Sequence, residues 1–263
     1  MKRAAAILML AVLIGALGGG ALASYPANLV ALAFRPHPGA RLPLTARLVD
    51  GNGRAVALGR FFTGAPVVLV LEYLRCKSLC GLTLENVVAA LDTLPFDAGR
   101  DFQMLAISID PRDAPADIAR AQAKYLALYH RKGGDTGIHF LAGSTTSVRQ
   151  IADAIGFPYR YDADTDQYIH PAGFIVAGPD GRISRYIFGV GAAASELRAG
   201  LADAEDGKAP SPLARLVLLC HVEGAPLGRY TVPVMAAFTI ADVAAGAAAL
   251  VIVLAAVRRR RQG

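Results

Sequence analysis

The chain has 263 residues, 54% of them hydrophobic, and a formal net charge of +6, which is room for one domain of ordinary size plus appendages. Six positive charges, Lys2, Arg3 and Arg258 to Arg261, sit at the two ends, and without them 21 basic residues face 21 acidic ones. A neutral body has no basic stripe to hold phosphates, so nucleic acid is excluded as a partner.

Residues 1–23 combine Lys2 and Arg3 with an apolar stretch from Ala4 to Leu17 and the small-x-small sequence Ala21-Leu22-Ala23. This pattern predicts an export signal, with an uncleaved N-terminal anchor as the alternative. Residues 24–43, rich in Pro, Gly and Ala, read as a linker, in which His37 lies between two prolines as a solvated loop residue. The folded domain is expected over residues 44–206.

Within it, Leu44 to Leu58 alternates around Asp50-Gly51-Asn52-Gly53, a hairpin signal. Pro66 bounds a continuous apolar run, Val67 to Leu71, that ends at Glu72. Such a run predicts a strand buried on both faces of a sheet, with Glu72 reaching solvent where the strand ends. Leu84, Val87, Val88, Leu91 and Leu94 recur at helical spacing. Phe102 to Ile109 is a second buried strand ending at Asp110-Pro111, and Asp113 is placed to cap the helix carrying Ile118, Gln122, Tyr125 and Tyr129. Ile138 to Leu141 is a short strand, in which His139 reads as a satisfied sheet residue. Ser144 can cap a helix over Val148, Ile151 and Ile155.

Tyr159 to His170 folds back through the acidic tip Asp162 to Asp166, which lacks the distal Glu and the glycine of an EF-hand loop. A second hairpin runs from Phe174 to Phe188 around Pro179-Asp180-Gly181, and Ala192 to Ala204 is a final helix. Strands alternating with helices, followed by a hairpin, predict an α/β fold. It is thioredoxin-like, a mainly parallel sheet with flanking helices and hairpin insertions.

Residues 207–231 form a juxtamembrane segment that includes Cys220 and His221. Residues 232–257 carry one charge, Asp242, and are followed by four arginines. They predict a C-terminal transmembrane helix with a cytoplasmic basic tail at 258–263. Asp242 lies about 24 Å from Arg258 along such a helix, near the outer edge of the hydrocarbon, where its cost is low. The expected location is the bacterial cytoplasmic (inner) membrane, with the main domain on the periplasmic side.

The chemistry-bearing stretch is Cys76-Lys77-Ser78-Leu79-Cys80, directly after the central strand. Open α/β sheets place their sites at that carboxyl end. If a helix has begun by Cys76 both sulfurs share one face; if Cys76 is still in the turn the thiols can converge. Two thiolates with an imidazole suit Cu(I), and thiolates also hold Cu(II) and Zn²⁺. A closed zinc site normally takes four ligands, and an open Cys₂His zinc site lacks an obvious general base. Metal binding is the leading reading, and a redox disulfide between Cys76 and Cys80 the alternative. Lys77 favours the thiolate form. Asp110 ends a strand on the same sheet edge and can either support the site or cap a helix. No Thr-x-x-Cys element with an activating Arg points to a peroxidase.

The order of motifs resembles the Sco/SenC family of copper-binding cytochrome c oxidase assembly proteins. The resemblance is carried by Cys76 to Cys80, Ser108 to Asp113, Gly156-Phe157, Tyr161-Asp162, Tyr168-Ile169-His170, Pro179 to Ile183 and Arg185-Tyr186. It implies one copper ion, Cu(I) or Cu(II), held by Cys76, Cys80 and His170. It also implies delivery of that ion to the dinuclear centre of cytochrome c oxidase subunit II or a similar cuproprotein, or thiol–disulfide reduction of that subunit's cysteines. An upstream copper donor or thiol reductant follows as a further partner. The segment from Leu218 to His221 and from Gly228 to Tyr230 resembles the tail of bacterial members that end in a membrane helix. Lys77 and Gly81 stand where the family often has proline, and Ser78 where an acidic residue is common.

Overall fold

A computed structural model of the protein describes residues 33–74, 80–207 and Gly246. The elements in order are β1 (Arg47–Asp50), β2 (Ala55–Ala57), β3 (Val67–Glu72), α1 (Cys80–Thr93), β4 (Gln103–Ser108), α2 (Pro115–Leu126), α3 (Gly134–Gly137), β5 (Ile138–Gly143), α4 (Thr145–Ile155), β6 (Arg160–Asp162), β7 (Gln167–Ile169), β8 (Gly173–Ala177), β9 (Ile183–Phe188) and α5 (Ala194–Glu205). Seven strands form one sheet in the order β2-β1-β5-β4-β3-β8-β9, and β6 pairs with β7 alone. The central strands β5, β4 and β3 are parallel neighbours, while β1 and β8 run against them. Both outer hairpins, β1–β2 and β8–β9, form where turn residues marked them. This is the expected thioredoxin-like α/β arrangement.

Every residue of β3 and β4 is buried, because both faces of the sheet are covered. Alternation along β3 sends Val67, Leu69 and Leu71 into one core with Leu105, Ile107 and the α4 residues Val148, Ile151 and Ile155. Val68 and Val70 enter the other core with Leu84, Val87, Val88 and Leu91 of α1, Ile118 and Tyr125 of α2, and Leu197 and Leu201 of α5. The helical spacing in the sequence therefore marked the correct faces.

Two local expectations are corrected. Residues 33–43 are not a free linker: Phe34 is buried, the Arg35 amide donates to the Gly156 carbonyl at 2.8 Å, and the Leu42 amide donates to the Gly181 carbonyl at 2.9 Å. His37 is exposed, as expected, though its amide donates to the Tyr186 hydroxyl at 2.9 Å. Asp113 does not cap α2. The helix starts at Pro115 after Ala114, and Asp117 accepts from the Ala114 amide at 3.0 Å. Ser144 does cap α4, accepting from the Ser147 amide at 3.2 Å.

Among the described residues no helix is long and apolar enough to cross a membrane. The expected span at 232–257 lies outside them apart from Gly246, as do the expected signal at 1–23, Cys220, His221 and the basic tail.

Candidate metal centre at the end of the central strand

The parallel strands β3 and β4 end together, Glu72 paired with Ser108. Four backbone and side-chain contacts fix the chain as it leaves β3. The Ile109 amide donates to the Glu72 carbonyl at 2.9 Å. Asp113 accepts from the Leu74 amide at 3.2 Å and from the Ser108 hydroxyl at 2.5 Å. The Tyr73 hydroxyl donates to Gln167 Oε1 at 3.3 Å, linking the strand exit to β7. Asp113, expected as a helix cap, thus anchors the chain just before the cysteine stretch.

Cys76 lies outside the described residues, and Cys80 is the first residue of α1. His170, directly after β7, is brought to the same end of β3. Its side chain is 8% exposed, and Nε2 stands 3.1 Å from Oε1 of Glu72, itself 3% exposed. Glu72 is therefore not solvent-facing as expected: the loop after β7, 98 positions away in sequence, covers it. The other ring nitrogen, Nδ1, lies 3.0 Å from the Pro171 carbonyl. A carbonyl only accepts, so that contact requires a proton on Nδ1. The bond before Pro171 is trans.

Two rings pack against the imidazole. Phe157 stacks on it at 5.5 Å between centroids, and Tyr73 meets it edge-on at 6.1 Å. Phe157 is aimed there because Gly156 ends α4 in the left-handed region (φ 64°), turning the chain inward. Burial pushes the Glu72 carboxyl above its ordinary range, with His170 pulling partly against it. Burial by itself lowers the imidazole, but the contact and charge of Glu72, with the Pro171 carbonyl, outweigh it and raise His170.

A second tie holds the hairpin that carries His170. Asp110, 1% exposed, accepts from Arg112 Nε at 2.9 Å, and Arg112 Nη1 reaches Asp166 at the hairpin tip, also at 2.9 Å. The Tyr161 hydroxyl donates to Asp166 at 2.7 Å, beneath the Arg112 guanidinium. The bonds to Asp110 and then Asp166 hold Arg112 above its ordinary basicity. Asp110 therefore neither caps a helix nor lies free; it binds the end of β4 to the β6–β7 tip. His139, as expected, is satisfied within the sheet, with Nε2 at 3.1 Å from Gln103 Oε1. It aligns with Leu105 of β4, away from the Glu72 end.

The residues missed by sequence reasoning are Glu72, Tyr73 and the Arg112 clamp. Arg112 lay within the Ser108–Asp113 motif, but nothing local showed that it reaches Asp166.

A family model described as SCO1/SenC matches residues 41–203, from just before β1 to within α5. The chain belongs to the SCO1/SenC family. No curated protein matches the chain. Two solved structures from Aquifex aeolicus VF5 are similar, one described as a putative electron transfer protein and the other as a putative electron transport protein. The first has a TM-score of 0.57 at 26% identity, covering 65% of this chain and 96% of that one. The second has a TM-score of 0.55 at 27% identity, covering 65% of this chain and all of that one. Arabidopsis thaliana ScoI with copper bound shares the fold at 19% identity, with a TM-score of 0.50 over 65% of this chain and 99% of that one. In this SCO1/SenC chain Phe157 packs on His170, Asp110 and Arg112 tie the hairpin that carries it, and Asp113 holds the β3 exit.

Proposed function

We propose that the protein is a membrane-tethered copper chaperone that binds one copper ion through Cys76, Cys80 and His170. It passes that ion to the dinuclear copper centre of cytochrome c oxidase subunit II during assembly. The observation that carries this reading is a buried imidazole held at the end of β3, where the cysteine stretch leaves the sheet, in a chain of the SCO1/SenC family. Two thiolates and an imidazole are a donor set for copper, with soft sulfur favouring Cu(I) and the imidazole serving either oxidation state. The protein's own part is to hold His170 in one orientation and one tautomer, through Phe157, Tyr73 and the Pro171 carbonyl. The span at 232–257 and the arginines after it support tethering with the domain on the periplasmic side. An impermeant thiol reagent added to intact spheroplasts should then label reduced Cys76 and Cys80; labelling only after lysis refutes that orientation.

The second reading is a thiol–disulfide reductase of the same oxidase subunit, favoured by a cysteine at the first position of the helix that follows the central strand. The two separate at His170. Exchange requires an attacking and a resolving thiol, which Cys76 and Cys80 supply without an imidazole. His170→Ala should leave two titratable thiols, weaken copper retention and abolish oxidase maturation. Maturation that survives His170→Ala at limiting copper, while Cys76→Ser abolishes it, replaces the chaperone with the reductase.

A further inference from the structure

We propose that a cleft beside β5 is a second binding site, for a small zwitterion with an apolar body: a free apolar α-amino acid or a short apolar peptide. The inference is independent of the copper reading. β1 pairs with β5 only from Leu141 to Gly143 and then turns away after Asp50, so among the described residues no strand covers the β5 edge beside His139 and Phe140. That edge opens into a cleft of about 430 Å³, a size within the range of small-molecule sites. β5 lies two strands away from β3, and the cleft shares no residue with the candidate metal centre. The turn after β1 leans on α2, with Gly51 so close to Ala119 that a Cβ would meet the helix backbone at 3.1 Å. Ala119 and Ala123 of α2 line the cleft one helical turn apart, and their small side chains leave room beside the sheet. On the far side Phe61, buried in the short helical turn Leu58–Phe61, packs on the His139 ring at 4.6 Å. Phe140 and Leu141 supply a buried apolar floor.

An apolar interior does not by itself name a ligand, but the charges around it do. Arg60 lines the cleft and is exposed, with no hydrogen bond or ion pair among the described residues. Asp135 lines it too and is equally unpaired there. Asp50 gives Oδ1 to the Asn52 and Arg54 amides, each at 2.9 Å, which leaves Oδ2 open. His139 is occupied by Gln103. The cleft thus holds one guanidinium and two carboxylates, none bonded to another. A simple anion would meet both carboxylates, and a simple amine would meet Arg60. A zwitterion satisfies both signs: its carboxylate takes the forked contact of Arg60, and its ammonium faces Asp50 and Asp135. Its side chain then fills the apolar space between α2, Phe61 and β5.

The test is calorimetric titration of the full-length protein, kept metal-free so that chelation by the ligand contributes nothing. L-Leucine and L-leucyl-L-leucine are the zwitterions. At least one should bind at one equivalent, and which one does so tells a free amino acid from a peptide. N-acetyl-L-leucine lacks the ammonium and isopentylamine lacks the carboxylate, and each should bind about tenfold more weakly or worse. Arg60→Gln should weaken the zwitterion by a similar factor. Ala123→Phe, which fills the cleft from an exposed helix position, should abolish binding. If neither zwitterion binds, the proposal is overturned. Binding that is unchanged in both variants, or matched by N-acetyl-L-leucine, overturns it as well. The ligand comparison on the wild type needs no variant, so it decides even where a substitution prevents folding.

Discussion

Glu72 and His170 face each other across 3.1 Å at the end of β3, both nearly removed from solvent. Removing one member leaves the other buried with an unmet polar atom, whereas removing both leaves only a cavity. His170→Ala should therefore destabilise the metal-free domain by about 2–3 kcal/mol, with protonation of Glu72 limiting the loss. The double variant Glu72→Leu/His170→Ala should be less destabilised than the sum of the two single changes, by about 1 kcal/mol or more. Urea denaturation of the four proteins checks this, and strict additivity means the pair is not coupled.

The Arg112 clamp predicts an asymmetric response. Asp110 is buried while Asp166 is exposed, so the two carboxylates depend on Arg112 to different degrees. Arg112→Ala should be clearly destabilising because it leaves buried Asp110 without its guanidinium, and Arg112→Lys should recover little because an ammonium cannot make the forked contact. Asp166→Asn should cost no more than about 1 kcal/mol, as an exposed pair does. Equal losses at the two ends in chemical denaturation would refute the clamp.

Local chemistry reached the sequence reader and distant contact did not. The hairpins were legible because Asp50-Gly51-Asn52-Gly53 and Pro179-Asp180-Gly181 declare their turns, and β3 because an uninterrupted apolar run must be covered on both faces. Glu72 was misread because a charge at a strand end is ordinarily solvated. Only the loop after β7, folded back over it, makes it buried. Asp113 was misread for a related reason: a carboxylate two residues before a proline is a plausible cap, yet Asp117 does that work from inside the helix. Phe34 and its neighbours looked like linker because Pro and Gly dominate the local composition, while their partners at Gly156 and Gly181 lie far along the chain.

Gly156 and Gly207 share φ 64°, but among the described residues only Gly156 is crowded: a Cβ there would run into the Arg35 carbonyl, whereas at Gly207 no described residue lies near. Gly207→Ala should cost roughly 1 kcal/mol for the left-handed backbone alone. Gly156→Ala should cost clearly more, because it also displaces residues 33–35 or the turn into Phe157. Thermal melts give the comparison. Since Phe157 stacks on His170, Gly156→Ala should also weaken copper retention, an effect that Gly207→Ala should lack.

His139 provides a pH test away from the proposed copper site. Burial lowers its pKa below the ordinary imidazole value of 6.5, outweighing the Thr136 carbonyl. Below about pH 6.5 the unfolded chain therefore takes up a proton at His139 that the folded chain resists. More protons bound to the unfolded state mean that this residue's contribution to stability falls as pH drops from 6.5 through the folded pKa, and is intact above 6.5. His139→Gln, which can still bond Gln103, removes the titration. The difference in melting temperature between wild type and His139→Gln should be constant from pH 8 to 7, then shift against the wild type toward pH 5. Other titrating groups, His170 included, cancel in that difference because both proteins carry them. A difference that stays flat across the whole range would mean that His139 protonates as readily in the sheet as in the unfolded chain.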